Sequence, residues 1–184
     1  MTIKKYINFA QNFYNIMDTI TLRAVEQEDI AKLYIYENDM DSLSVGIAKR
    51  FLPLCTIEEY VLSIQNADIT KTEQLRLMID LNNTAIGCID LYDMDFINQK
   101  SAIGIYLAKE YRGNGFAKQA LQKLEDYAYN ILSMHQLYAF VSEPNKASNN
   151  LFLSCDYTLT ATLKDYIKYR NKYYNVNFYQ KIFD

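Results

Sequence analysis

The sequence predicts a mixed α/β domain, one sheet with helices on both faces. Three observations carry that prediction: the chain length, the order of apolar periodicities, and a glycine-containing loop between an apolar strand and the most regular helix. With 184 residues, the chain suits one domain and can bury a core without disulfide or metal staples. Half its residues are hydrophobic and 22% are charged, which excludes disordered, collagen-like and membrane-spanning classes.

The elements follow in order. Ile20–Val25 reads as a short strand. Glu28–Glu37 reads as a helix with Ile30, Leu33 and Tyr34 on its apolar face. Residues 39–54 lack a clear period and contain Pro53, so they read as loop or broken helix. Thr56 and Glu59 form a capping box before Ile57, Tyr60, Val61 and Ile64 at helical spacing. Leu75–Ile79 and Ala85–Leu91 read as strands joined by an Asn82-Asn83 turn, Asp93–Gln99 as a polar turn, and Ala102–Ala108 as a fully apolar strand. Ala117, Ala120, Leu121, Leu124, Tyr127, Ala128 and Ile131 then keep a period of about 3.6. Gln136–Val141 is a strand stopped by Pro144, and Asn145–Ser154 a short helix capped by Asn145. Two tyrosine-rich strands, near Tyr157–Tyr169 and Tyr173–Phe183, close the chain.

The net charge of −3 excludes a general nucleic-acid binder. One histidine and three scattered cysteines exclude a zinc site, and no metal is expected. Cys55, Cys88 and Cys155 read as buried, reduced thiols. Lys4 and Lys5 precede an apolar stretch, but Asn8, Gln11, Asn12 and Asn15 interrupt it and no small-residue cleavage site follows. No apolar run reaches 18 residues, so neither a signal peptide nor a membrane span is expected, and a cytoplasmic location is. Residues 1–18 are expected to be an N-terminal extension, with Met17 a second plausible start, and residues 19–184 to form the domain.

The run Arg112-Gly113-Asn114-Gly115-Phe116-Ala117 sits between the apolar strand and the regular helix. Glycines let backbone N–H groups converge without Cβ clashes, and the helix N-terminus adds about half a positive charge. A phosphate or pyrophosphate suits such a site. The run lacks the Gly-Lys-Ser/Thr of a P-loop and the spacing of a dinucleotide fingerprint. A tight turn that merely needs glycine remains open at this point, as does a nucleotide-binding role.

Arg112, Gly115 and Ala117 in an R-x-x-G-x-A pattern resemble motif A of the GNAT acetyltransferases, and Asn145-Lys146-Ala147-Ser148 with Leu151-Phe152 resembles motif B. Arg23, Glu28-Asp29, Glu37-Asn38-Asp39, Ile86-Gly87 and Lys164-Asp165-Tyr166 resemble the subgroup of ribosomal-protein and spermidine acetyltransferases. The resemblance implies the GNAT fold: a mixed, mostly antiparallel seven-stranded sheet of α+β type with a splayed central strand pair. It implies acetyl-CoA as cosubstrate, with Ile105, Tyr106 and Leu107 along the pantetheine and acetyl arm. The N–H groups of Arg112, Gly113, Asn114, Gly115, Phe116 and Ala117 would hold the pyrophosphate, Lys118 would add charge, and Asn145 and Ser148 would touch the pantetheine. It implies a small amine, a polyamine or a protein N-terminus as acceptor.

Acyl transfer to an amine needs a neutral amine, an oxyanion donor and a route for the departing thiolate. By resemblance, the donor is a backbone N–H beside Leu107. Relatives place a proton-donating tyrosine where this chain has Phe152. Either the thiolate leaves unaided, its pKa being about 8.5, or the chain is a catalytically weak acyl-CoA-binding or sensing module. Tyr106 and Tyr157 are substitute donors. Glu37 is the base candidate placed with Leu107 and Phe152 in the catalytic set; Asp39, Asp90, Asp93, Asp95 and His135 are weaker ones. Arg50-Phe51-Leu52 before Pro53 count against a polyamine. Aromatic residues in the closing strands fit a homodimer interface and a core role equally.

Overall fold

The computed structural model describes residues 19–45, 51–65 and 67–184. The expected extension at 1–18 lies outside them. β1 (Ile20–Ala24) leads through a 3-10 turn into α1 (Ile30–Glu37), α2 (Met40–Val45), α3 (Leu54–Gln65) and α4 (Ile69–Thr72). β2 (Leu75–Leu81), β3 (Thr84–Asp95), β4 (Lys100–Leu107), α5 (Phe116–Asn130), β5 (Gln136–Ser142), α6 (Lys146–Ser154), β6 (Thr158–Tyr169) and β7 (Lys172–Ile182) complete the fold.

One seven-stranded sheet runs β1-β2-β3-β4-β5-β7-β6. Every neighbouring pair is antiparallel except β4 with β5. Asn82 and Asn83 take positive φ (50° and 62°), as a two-residue hairpin turn with strand-matched twist requires. Ala120, Leu121, Leu124 and Ala128 of α5 are fully buried against Ile89, Leu91, Leu137 and Ala139 on one face. On the other face Leu33, Tyr36, Ile57 and Val61 of α1 and α3 pack on Met78, Ala85 and Cys88. Arg23 clamps the entry to α1, reaching both Asp29 oxygens (2.6 and 2.8 Å) and Asp80 (2.8 Å).

Several expectations are corrected. Tyr34 is 40% exposed and Tyr36 takes the buried position, its hydroxyl donating to the Ala85 carbonyl at 2.9 Å. Residues 39–54 keep the expected broken-helix form, with Met40–Val45 helical as α2, and residues 46–50 lie outside the description. α3 opens at Leu54, ahead of Thr56, so Thr56 is no N-cap. β3 runs on through Asp95 because a bulge with Asp93 at φ 49° carries the strand past its polar residues. Ile131 ends α5 as its C-cap, exposed, and Cys55 is exposed rather than buried. Asp156 takes φ 65° after α6, the left-handed C-terminal position that glycine most often fills.

Candidate active site

β4 and β5 pair only from Lys100–Ala102 to Gln136–Tyr138, then part. The splay therefore opens toward Leu107 and Ser142. The Ala108 N–H donates to the Ile86 carbonyl (2.9 Å), which sets even-numbered β4 residues to bond toward β3. Alternation then turns the backbone groups of Ile103, Ile105 and Leu107 into the wedge. Arg112 Nε takes the Leu107 carbonyl at 2.8 Å, leaving the Leu107 N–H facing the opening.

The loop after β4 is shaped by Gly113 (φ 83°) and Gly115 (φ 80°), left-handed conformations that favour glycine. Gly115 is the N-cap of α5 and offers no side-chain cap. The first helical bond runs from Gln119 N–H to the Gly115 carbonyl, so the N–H groups of Phe116, Ala117 and Lys118 have no intrahelical acceptor. A cavity of about 530 Å³ lies between this helix start, the end of β4 and α6. Ile105, Tyr106, Leu107, Arg112, Gly113, Gly115, Ala117, Lys118, Asn145 and Ser148, all sequence candidates, line it. Sequence reasoning missed Ala147, Asn150, Leu151 and Ser154; with Ser148 they share helical spacing after the cap, the signal that would have found them. It also missed Asp41 and Ser42, because nothing in residues 39–54 marks a helix facing the loop.

Other candidates fall elsewhere. Asn114 is exposed and its amide stays on the loop, 3.4 Å from the Tyr111 carbonyl, and the Phe116 ring is buried in the core. Phe152 is 2% exposed, edge-on to Tyr157 and stacked on Tyr179, so its ring belongs to the core rather than the cavity wall. Tyr157 is buried beside Glu125, which with burial pushes its hydroxyl far up. Asn145 caps α6, its Oδ1 accepting from the Ser148 N–H at 3.1 Å, while also lining the cavity. Lys118 Nζ is tied to the Ser154 carbonyl (2.9 Å).

The base candidates are engaged as well. Glu37 and Asp90 both bind Arg76 (2.6 and 2.7 Å), and Glu37 does not line the cavity. Asp95 pins a turn by accepting from the Ile97 and Asn98 N–H groups. His135 sits at the end of β5 opposite the opening. Asp39 is a hub: its carboxylate accepts from the Asp41 N–H, the Ser42 and Tyr106 hydroxyls and Arg112, each at 3.0 Å. Burial alone would raise its pKa, but these four bonds outweigh burial and hold it below the ordinary value. Burial, then the Asp39 bond, pushes Tyr106 well above the tyrosine range. Burial likewise pushes the Cys88 thiol up, against the opposing charge of Arg76.

Asp39 thus ties α2 to Arg112 and, through Arg112, to the Leu107 carbonyl. A carboxylate with a lowered folded pKa adds stability above its unfolded value and loses it as pH falls through the folded one. The latch is therefore constant from pH 5 to 9. Asp39→Asn is expected to lower kcat about five- to tenfold, equivalent to about 1 kcal/mol for a partly exposed charged contact. Steady-state kinetics check this, and an unchanged kcat removes the latch from the account.

Among the described residues, no group of three or more His, Cys, Asp or Glu is placed to hold a metal ion, and no helix is long and apolar enough to cross a membrane. The family model "Acetyltransferase (GNAT) domain" matches residues 19–158. The spermidine N(1)-acetyltransferase of Vibrio cholerae is 24% identical over 158 residues, covering 85% of this chain and 89% of the relative. A putative ribosomal N-acetyltransferase of Bacillus subtilis is 24% identical over 136 residues, covering 72% and 74%. The crystal structure of the Vibrio cholerae spermidine N-acetyltransferase in complex with CoA and spermine superposes with a TM-score of 0.80 at 22% identity, over 89% of this chain and 95% of that one. The splayed pair, the glycine loop at a helix start and the domain match lead to one assignment: this chain belongs to the GNAT acetyltransferase family and is an N-acetyltransferase.

Proposed function

We propose that the protein transfers the acetyl group of acetyl-CoA to a primary amine by direct attack in a ternary complex. The observation that carries this is the single cavity joining the uncapped start of α5 to the parted end of β4. Its residues suit acetyl-CoA. Free N–H groups at the start of α5 fit a pyrophosphate, and the backbone edge of Ile105 and Leu107 fits an amide-bearing arm. Acetyl-CoA supplies the activated thioester. The Leu107 N–H stabilises the developing oxyanion, held in place by Arg112 on the same residue's carbonyl.

No protonated tyrosine at Phe152 assists the thiolate. Tyr106, raised by burial and Asp39, is a much weaker acid than the CoA thiol, so the thiolate leaves unaided. The buried, protonated Cys88 is no nucleophile, in keeping with a single transfer step. The acceptor is a small amine or polyamine, or a protein N-terminus. Likeness to the spermidine enzyme supports the first class and likeness to the ribosomal one the second.

With Asp39 held low and engaged by four hydrogen bonds, and His135 at the far end of β5, neither serves as the base for the amine. For an alkylamine of pKa about 10.4, kcat/KM is expected to rise about tenfold per pH unit from 6 to 9. A plateau near pH 7 would instead reveal a base tuned to that range. Initial rates with both substrates varied are expected to give intersecting lines; parallel lines would indicate a covalent enzyme intermediate. The buried Phe152 favours one second reading, an acyl-CoA-binding module with weak turnover. CoA binding without thiol release across an amine panel would establish that reading instead.

A further inference from the structure

The sheet face opposite α5 carries a row of aromatic rings that neither core cluster absorbs. Leu137, Ala139 and Val141 of β5 are buried with α5, so alternation turns Tyr138 and Phe140 to the other face. There the Phe140 ring lies 4.9 Å from Phe178, 5.8 Å from Tyr138 and 6.5 Å from Tyr166, whose plane is within 7° of its own. Phe140, Tyr138 and Phe178 are half-buried and Tyr166 is 56% exposed.

This floor adjoins the wedge. Ala102 pairs with Tyr138, so Gly104 and Phe140, two residues further on, flank the parting strands. A side chain at Gly104 would point 3.4 Å from Asp90 Oδ2 and 3.7 Å from the Tyr92 ring. Asp90 and Glu37 share one cation, Arg76, which leaves that cluster one net negative charge. Asp93 lies close enough to add to the effect of burial in raising both the Tyr92 and Tyr138 hydroxyls.

We propose that this floor is the acceptor subsite and that the acceptor is a primary monoamine with an aromatic body. Its ring lies on Phe140 and Tyr166, and its amine reaches the wedge beside Gly104 and Asp90. The proposal rests on the acetyl-transfer reading above. Charge argues against a long polycation: Asp39 is paired with Arg112, Asp95 with Lys100, and Glu37 and Asp90 share Arg76, so beside the wedge only the Glu37–Asp90 cluster keeps an excess charge, with Asp93 exposed further out along β3. The carboxylate excess beside the wedge suits one ammonium, and the rings offer stacking and cation–π contacts to the rest. The reaction balances as before. The nitrogen–carbonyl bond forms and the carbon–sulfur bond breaks with its electron pair on sulfur; the ammonium loses two protons, one to solvent before attack and one after it, to solvent or to the released thiolate.

The chain has no tryptophan, so tryptamine fluorescence reports binding to the CoA-loaded protein independently of turnover. Tryptamine anisotropy is expected to rise, and kcat/KM for tryptamine and phenethylamine to exceed that for n-butylamine and spermidine about tenfold. Tyr166→Ala and Phe140→Leu are each expected to raise the tryptamine KM about three- to tenfold, collapsing the preference over n-butylamine. Unchanged anisotropy, or a preference for spermidine, overturns the proposal. So does a dimer that Tyr166→Ala dissociates while tryptamine kinetics stay the same, which would make the face a subunit interface. Tryptamine binding sensitive to both variants, with no thiol release from any amine, supports the subsite and removes the acetyl-transfer reading.

Discussion

Gly115→Val is expected to weaken acetyl-CoA binding by at least about a hundredfold, measured by titration calorimetry. Gly115 caps α5 at φ 80°, a conformation that costs a β-branched residue about 1–2 kcal/mol. Nothing lies within 4 Å of where its Cβ would stand, so the folded chain has room for a side chain. That room is the cavity itself. The valine would cover the N–H groups of Phe116, Ala117 and Lys118 and relax the turn that aims them. Losing two charge-assisted hydrogen bonds of about 1.5 kcal/mol each gives roughly 3 kcal/mol, about a hundredfold. Circular dichroism should show α5 intact, because Ala120, Leu121 and Leu124 still bury its face. Unchanged affinity would reduce the loop to a turn.

Gly87→Ala should cost about 3 kcal/mol of stability, lowering Tm by roughly 6–12 °C. A Cβ there would overlap the Tyr106 carbonyl oxygen and come within 2.8 Å of Leu107 Cδ2 and 3.0 Å of its Cα. Two of these are backbone atoms, so β4 must move where it presents the Leu107 N–H. A large fall in kcat should accompany the fall in Tm. Gly104→Ala is the control: its Cβ would meet nothing closer than 3.4 Å, so Tm should hold. A stable Gly87→Ala protein of normal kcat would mean that the end of β4 does not position the oxyanion donor.

These two glycines illustrate what the sequence carried. Gly115 stood out locally, between an apolar strand and a periodic helix, and its role follows from neighbours in the chain. Gly87 was marked only by resemblance, as half of the Ile86-Gly87 pair, and its physical reason was not readable, since the constraint comes from Tyr106 and Leu107 on the adjacent strand. The same division holds across the fold. The hairpin at Asn82-Asn83 and the periodic face of α5 were readable because turn chemistry and helical spacing are local. The run of β3 through Asp95 was not, because a bulge lets polar residues stay in the strand.

In the site, the loop, the β4 edge and Asn145 were identified by pattern, and the cavity gathers them. Ionisable side chains were the poorer guide. Glu37 and Asp90 read as bases until Arg76, distant in sequence, is placed between them. The Arg112 N–H read as a pyrophosphate donor, whereas it donates to the Lys109 carbonyl at 3.3 Å, and the guanidinium is held by Asp39 and the Leu107 carbonyl. Phe152 read as a site residue by its place in a motif, yet its ring packs between Tyr157 and Tyr179. A charge or ring declares its partner only once the chain is folded.

The most direct test of the account is transfer of a deuterium-labelled acetyl group. The protein is incubated with labelled acetyl-CoA and primary amines, and product and free thiol are quantified by mass spectrometry and a thiol reagent. The account predicts labelled N-acetylamine in equal amount to the thiol released, with both lost in Gly115→Val. Thiol release without acetylated amine, or no release from a protein that binds CoA, would contradict it.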